Sequence, residues 1–377
     1  MTQETTMADL LTTPFHTMHV EAGAKMVPFA GYDMPVQYKL GVKKEHLHTR
    51  DAAGLFDVSH MGQLLLTGDN AAAFMETLVP VDVIDLPHGK QRYAFFTNEQ
   101  GGILDDLMIA NLGDALFVVV NAACKTQDIA HMMNFVPEGV TLSELKDRAL
   151  LALQGPKAAD VLARVNPEVA TMHFMDIKRL SLSGIECIVS RSGYTGEDGY
   201  EISVPAAQAE ELASLLLAEQ EVEWIGLGAR DSLRLECGLC LYGHDLDPTT
   251  TPVEASLIWA ISPVRRNGGA REGGFPGADI ILEQLQTKDV SRKRIGLVGQ
   301  TKAPVREGTE LFDGEGNKIG VVTSGTAGPT AEKPVSMGYI TTEFAPVGSE
   351  VFAGVRGKML PMTVAKMPFV PQRYYRG

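Results

Sequence analysis

Twice in this chain an apolar run ends in glycine and turns directly into an alanine-rich helical pattern, and this repeated unit constrains the fold more than any other feature. In QLLLTGDNAAAFMETL the run Gln63–Leu66 leads to Gly68, with Asp69 as candidate N-cap. In LLALQGPKAADVLARV the same grammar recurs, with Gly155 in the slot of Gly68 and Pro156 in the first helical turn. YEISVPAAQAEELASLLL is a looser third copy, and LFVVVNAACKTQDIAHMMNF a fourth strand–helix step. A further helix is predicted from Val42 to Ala53, with Gly54 as its C-terminal stop. These units predict a duplicated α+β architecture, with helices packed on sheets of mixed or antiparallel strands; one doubly wound sheet is the alternative. Units recurring this irregularly do not make a solenoid.

Beyond Lys288 the texture changes. RIGLVGQ, GTELFDGEGNKIGVVTSG, PVSMGYITTE and SEVFAGVRGKMLPMTVAKM are short apolar runs separated by Gly and Pro turns, and DGEGN between two of them is a hairpin signal. A small antiparallel barrel or sandwich is expected there. The Gly-rich polar stretch Arg265–Gly277, with the helix after it, is the expected linker. A length of 377 residues exceeds what one core usually supports, so two or three domains are expected.

Composition excludes several functions. A net charge of −14 argues against nonspecific nucleic-acid binding, which needs a basic surface. No apolar run approaches the roughly 20 residues of a membrane span. MTQETTMADLL contains acids and no arginine, so it reads as neither signal nor transit peptide, and a cytoplasmic protein is expected unless a targeting segment is missing from the chain. Cys124, Cys187, Cys237 and Cys240 do not suggest a disulfide framework. Cys237 and Cys240 form C-x-x-C, but no second ligand pair follows, so packing is the better reading. Phosphate loops, nucleophile elbows and H-E-x-x-H are absent. His46 and His48, two apart on one helix, point different ways, and His60 in DVSHM is either catalytic or structural. The reactive group must then come from a substrate or cofactor.

Three constellations remain. In GGILDDLMIAN a strand would send Asp105 and Asp106 to opposite faces, putting one carboxylate inside, where it must be hydrogen-bonded or serve a ligand. The plainer alternative has one acid capping the turn after Gly101-Gly102 and the other solvated. In SGYTGEDGYEISV, glycines surround Tyr194, Glu197, Asp198 and Glu201. Backbone can approach a flat ligand there, with Tyr194 stacking and Glu201 accepting from an amide-like edge; a plain hairpin turn and a calcium loop are the alternatives, the latter lacking its pattern. In GLGARDSLRLECGLCLYGHDLD a helix from Gly228 would place Arg230 and Arg234 on one face, to bind a carboxylate or to pair with Asp231 or Glu236.

Taken in order, MVPFAGYDMPVQY, AAGLFDVSHMGQ, GGILDDL, LALQGP, SGYTGEDGYEISVP, GLGARDSLRLE, LYGHDLD, TTPVEASLIW, VTSG and KMPFVPQRYY closely resemble the T-protein (aminomethyltransferase) family of the glycine cleavage system, nearly end to end. Tyr32 stands where that family usually carries Trp. The resemblance implies a three-domain cloverleaf around a central folate site. Residues 1–62 plus 149–250 and 63–148 plus 251–285 would form two interleaved α/β domains of ferredoxin-like type, and 286–377 an antiparallel β-barrel. It implies transfer of a one-carbon unit from the aminomethyl-dihydrolipoyl arm of H-protein to tetrahydrofolate, with release of ammonia. The reactive iminium that forms would need a narrow, water-poor channel.

By the same resemblance Asp106 holds the folate near N5 and N10. Glu201 and Arg230 fix the pterin with Tyr194 nearby, and Tyr93, Asn121 and Trp259 line the pocket. Arg373, Tyr374 and Arg376 are candidates for the glutamyl tail, and no metal is implied. Lys43, Lys44 and Arg50 are candidate contacts for an acidic carrier. Sibling activities on this fold are removal of methyl groups from a sulfonium or a methylamine, and folate binding in iron–sulfur cluster maturation. The latter branch carries a K-G-C-Y-x-G-Q motif that ECGLCLYGHD does not match. A noncatalytic lipoyl-protein binder would disrupt the Asp106 segment, which is intact.

Overall fold

A computed structural model describes residues 10–377. Two sheets and a barrel account for most of the chain. The first sheet runs in the order Ile177–Leu182, Ile185–Ser190, Gly199–Pro205, Arg148–Gln154, Ala53–Asp57, Val222–Trp224. The second runs Gln91–Thr97, Ile103–Asn111, Leu116–Val120, Gly62–Thr67, Thr141–Glu144. The single parallel pairing among the described strands joins Val222–Trp224 to Ala53–Asp57, so the doubly wound alternative falls.

The repeated unit is real, and glycine is its hinge. Strands Gly62–Thr67 and Arg148–Gln154 lead into helices Ala71–Glu76 and Ala158–Val165. Gly68 has φ +117° and Gly155 φ +134°, and a Cβ at either would lie 2.1 or 2.2 Å from a carbonyl oxygen, of Gly139 and Ala52 respectively. In both units the chain turns so tightly that only a hydrogen fits on the inner side. The expected N-cap is displaced: Asn70 occupies that position, and neither it nor Asp69 caps the helix through a side chain. The early helix stops at Asp51, two residues short of expectation, and Gly54 lies inside the buried strand Ala53–Asp57. Helix periodicity and a fully buried strand read alike over so short a run.

The sheets pack face to face. Phe56, Leu150, Ala152 and Ile188 of the first meet Ala110, Phe117 and Val119 of the second. Burying a side chain such as Phe56 stabilises by roughly 1.5–3 kcal/mol. The outer faces are covered by helices, Ala158–Val165 and Ala209–Leu217 on the first sheet and Ala71–Glu76 on the second. A closed six-stranded antiparallel barrel, Arg292–Gly299 to Lys358–Ala365, completes the chain. DGEGN makes the predicted hairpin, with Asp313 accepting from the Glu315 and Asn317 amides.

The expected linker is a packed segment instead. Arg265 is buried and donates to Glu76 at 2.7 Å, and Phe275 joins the core beneath the helix Ala278–Thr287. Its glycines signalled turns, but a buried ion pair closes them down. Gly155→Ala is expected to cost about 2–4 kcal/mol from positive-φ strain and overlap with the Ala52 carbonyl. Gly184→Ala, also at positive φ but facing open space, should cost less; thermal denaturation of the two variants measures the difference.

Candidate active site

The strand Ile103–Asn111 alternates buried and half-buried residues, and the alternation separates the two acids. Asp105 is fully buried; Asp106, on the other face, is half-buried. Neither caps the preceding turn, which Asn98 closes by accepting from the Gln100 and Gly102 amides. Asn121, just past the neighbouring strand Leu116–Val120, serves both acids. Its side-chain amide lies 2.9 Å from Asp105 Oδ1 and 2.7 Å from Asp106 Oδ1, and its backbone N–H donates to Asp105 Oδ2. The other Asp106 oxygen accepts from Tyr93 Oη at 2.9 Å. Burial, and then the neighbouring Asp105 charge, push the Asp106 carboxyl up to about 7.

From Asp106 a row of side chains extends in two directions. Tyr93 stacks on the exposed Trp259 with ring centroids 5.2 Å apart, which puts a solvent-facing indole beside the partner of Asp106. Tyr194 lies within electrostatic reach of Asp106 and presents its ring to Arg230, 4.8 Å from guanidinium carbon to centroid; its hydroxyl donates to the Cys240 carbonyl. Beyond Arg230 stands Glu201, accepting only a 3.3 Å hydrogen bond from Ser192. Burial raises the Glu201 carboxyl and lowers the Arg230 guanidinium, and the two do not close into an ion pair. Arg230 Nη1 is sealed from solvent without a partner. A cation and an anion that stay unpaired, each short of partners, are placed to bracket a flat molecule bearing both donors and acceptors.

Seven of the predicted residues, Asp106, Tyr93, Asn121, Tyr194, Glu201, Arg230 and Trp259, thus converge. Tyr374 and Arg376 lie outside this row: Tyr374 stacks on Phe174 at 4.1 Å, and Arg376 sits over the same ring. Arg373 is engaged elsewhere, donating to Glu197 at 2.7 and 2.8 Å and to the Arg50 carbonyl. That pairing, with Asp198 held by Arg191, occupies the acids that suggested a calcium loop. The docking assignment of Arg50 is corrected likewise: its guanidinium is buried between Glu197 and Glu236, whereas Lys43 and Lys44 are exposed. Arg234 takes the structural role, paired with Asp231 and Asp245. Cys237 and Cys240 are buried and apart from any metal-like cluster among the described residues.

Two side chains near the site escaped the sequence reading or were left open by it. His60 is buried between Phe29 and Tyr32, its Nδ1 without a partner, and burial drops its titration to about 4, so it is neutral. Asp128, behind Asp105, was missed; its signal was an acid four residues before Met132 on the buried face of the helix Lys125–Met133.

Comparison with known proteins decides the family. Residues 15–265 match the GCVT N-terminal domain and residues 292–371 the glycine cleavage T-protein C-terminal barrel domain. The chain belongs to the aminomethyltransferase (T-protein) family of the glycine cleavage system. The mitochondrial aminomethyltransferase of Dictyostelium discoideum is 49% identical over 97% of this chain and 94% of its own length. The human mitochondrial aminomethyltransferase is 46% identical over 96% and 91%. The crystal structure of glycine cleavage system aminomethyltransferase T from Bartonella henselae superposes with a TM-score of 0.92 at 46% identity, covering 97% of this chain and all of that one. The T-protein fold and its transferase activity are therefore those of this chain. The cytoplasmic expectation is corrected: the similar aminomethyltransferases of D. discoideum, Schizosaccharomyces pombe, pea and human are named as mitochondrial. Composition and the first few residues carried too little information to fix a compartment.

Because its folded-state titration lies above the ordinary carboxyl value of 3.8, ionised Asp106 opposes folding. This penalty builds as pH rises from about 3.8 toward 7 and is complete above it. Asp106→Asn should therefore stabilise the protein by an amount that grows over that interval and then levels off, as melting temperatures across pH will measure.

Proposed function

We propose that the pocket between Asp106 and Glu201 binds tetrahydrofolate, and that the transferred group arrives on the aminomethylated lipoyl arm of an H-protein. The observation that carries this reading is the unpartnered Arg230 Nη1 near Glu201, with Tyr194 between Arg230 and Asp106. A pterin offers a planar edge with adjacent donors and acceptors, and these two side chains would fix it while Tyr194 packs nearby. Trp259 and Tyr93 would guard the mouth. The folate tail would leave the pocket toward solvent, with Tyr374 and the exposed cation Arg376 assigned to it on charge and position in the chain. Lys43 and Lys44 remain as contacts for an acidic carrier. Residues 1–62 plus 149–250, 63–148 plus 251–285, and 286–377 are taken as the three domains, a division supported by the membership of the two sheets and the barrel.

When bound, tetrahydrofolate supplies the nucleophilic nitrogen that accepts the one-carbon unit, so the protein needs no nucleophile of its own. Its residues orient, exclude water and manage protons. A carboxyl titrating near 7 is matched to proton transfer at neutral pH and, as the anion, favours positive charge at the transferred carbon. Tyr93 and Asn121 fix its two oxygens, so the group meets the reacting atoms in one orientation.

Production of 5,10-methylenetetrahydrofolate from aminomethyl-loaded H-protein tests the assignment. Asp106→Asn should lower turnover by roughly 10²- to 10⁴-fold with the fold intact; turnover equal to wild type would remove Asp106 from its role. Arg230→Met should weaken tetrahydrofolate binding by about 1.5–3 kcal/mol, the worth of a hydrogen bond to a charged group. Calorimetric titration showing an unchanged affinity would sink that contact.

A further inference from the structure

Asp128 is fully enclosed, 1% exposed, and neither of its carboxyl oxygens meets a hydrogen-bond donor. An ionised carboxylate in that position is prohibitively costly. Its carboxyl lies against that of Asp105, whose oxygens already receive the Asn121 backbone and side-chain N–H groups, with the Cys124 thiol alongside. The donors therefore sort the pair. Asp105 has the partners that suit an anion, Asp128 has none, and a proton on Asp128 supplies the one hydrogen bond both lack. The Asn121 amide that holds Asp105 also holds Asp106. A continuous chain of contacts runs from Asp128 through Asp105 and Asn121 to Asp106 and Tyr93.

We propose that Asp128 is a positioning residue for the transferase reaction: a carboxylic acid that stays protonated at neutral pH, donates to Asp105, and keeps Asp105 an anion that anchors Asn121 and sets the charge beside Asp106. The proposal rests on the assignment of Asp106 to the reaction. Burial first, then Asp105, drive the Asp128 titration up to about 10, in keeping with the geometry. The other titratable groups facing the cluster are Cys124 and Tyr242 beside Asp105 and Asp128, and Tyr93, Tyr194 and Cys240 around Asp106. Burial raises all five, so none competes for charge near pH 7. Lys125, next to this cluster in sequence, is directed away, donating to Tyr32 Oη and the His60 carbonyl.

Two variants and two readouts test this on the full chain. Asp128→Asn retains an N–H donor to Asp105; Asp128→Leu removes it. The infrared difference spectrum between wild type and Asp128→Asn at pH 8, without substrates, should show the carbonyl stretch of a protonated carboxylic acid that the variant has lost. Absence of that band overturns the proposal. With H-protein and tetrahydrofolate, Asp128→Asn should stay close to wild type in kcat and in the midpoint of the pH profile. In Asp128→Leu, Asp105 loses its donor and takes up a proton, so the charge that raises Asp106 vanishes. The midpoint should then move to lower pH by roughly one unit, and kcat should fall on the order of ten- to a hundredfold. An unshifted midpoint in a folded Asp128→Leu, or equal losses in both variants, would contradict it. The infrared result is independent of what Asp106 does; full turnover by Asp106→Asn would instead sink the assignment on which the proposal rests.

Discussion

Buried charge on the helix Leu227–Glu236 ties the parts of this molecule together. Glu236 accepts from Arg50 at 3.1 Å, contacts His46 at 3.0 Å, and takes the amides of Thr330 and Ala331 from the barrel. Two residues earlier on the same helix, Arg234 reaches Asp245 at 2.6 Å and Ser324 of the barrel at 2.8 Å. Despite its burial, the His46 contact and the backbone amides hold Glu236 at about 2, so it remains an anion. Removing one partner of such a pair leaves a buried charge uncompensated, typically a loss of 3–5 kcal/mol. The network thus specifies how sheets, barrel and tail meet, and Arg230 on the same helix inherits a fixed position beside Tyr194 and Glu201.

The placement of the two aspartates follows from strand alternation. Because successive residues of Ile103–Asn111 face opposite ways, adjacent aspartates serve two environments, one closed against Asp128 and one half-buried beside Tyr93. Asn121 bridges them across the neighbouring strand. In the proposed reaction a chain without a nucleophilic triad runs a group transfer because a single carboxyl is oriented and tuned by burial and a neighbouring charge, while the substrates would bring the reactive nitrogen and carbon.

Much of this was legible in the sequence where local chemistry decides the outcome. The Gly68 and Gly155 hinges, the DGEGN hairpin and the split of Asp105 from Asp106 all follow from backbone geometry or period-two alternation. Long-range partners were not legible. Nothing near Arg50 in sequence points to Glu197 or Glu236, which lie 147 and 186 residues away, so a buried structural cation looked like a surface one. Arg265 misled for the same reason, its partner Glu76 being 189 residues distant. The roles proposed for Arg230 and Glu201 came from family resemblance; spacing alone left each with an ordinary structural alternative. Asp128 was overlooked because one acid on an amphipathic helix normally marks the solvated side.

The most direct measurement is a crystal structure of this protein with a stable reduced folate. The pterin should lie between Glu201 and Arg230, with its N5–N10 edge at the Asp106 carboxyl and the tail emerging past Trp259. A pterin bound elsewhere, or one leaving Arg230 Nη1 without a partner and Asp106 out of reach, would contradict it.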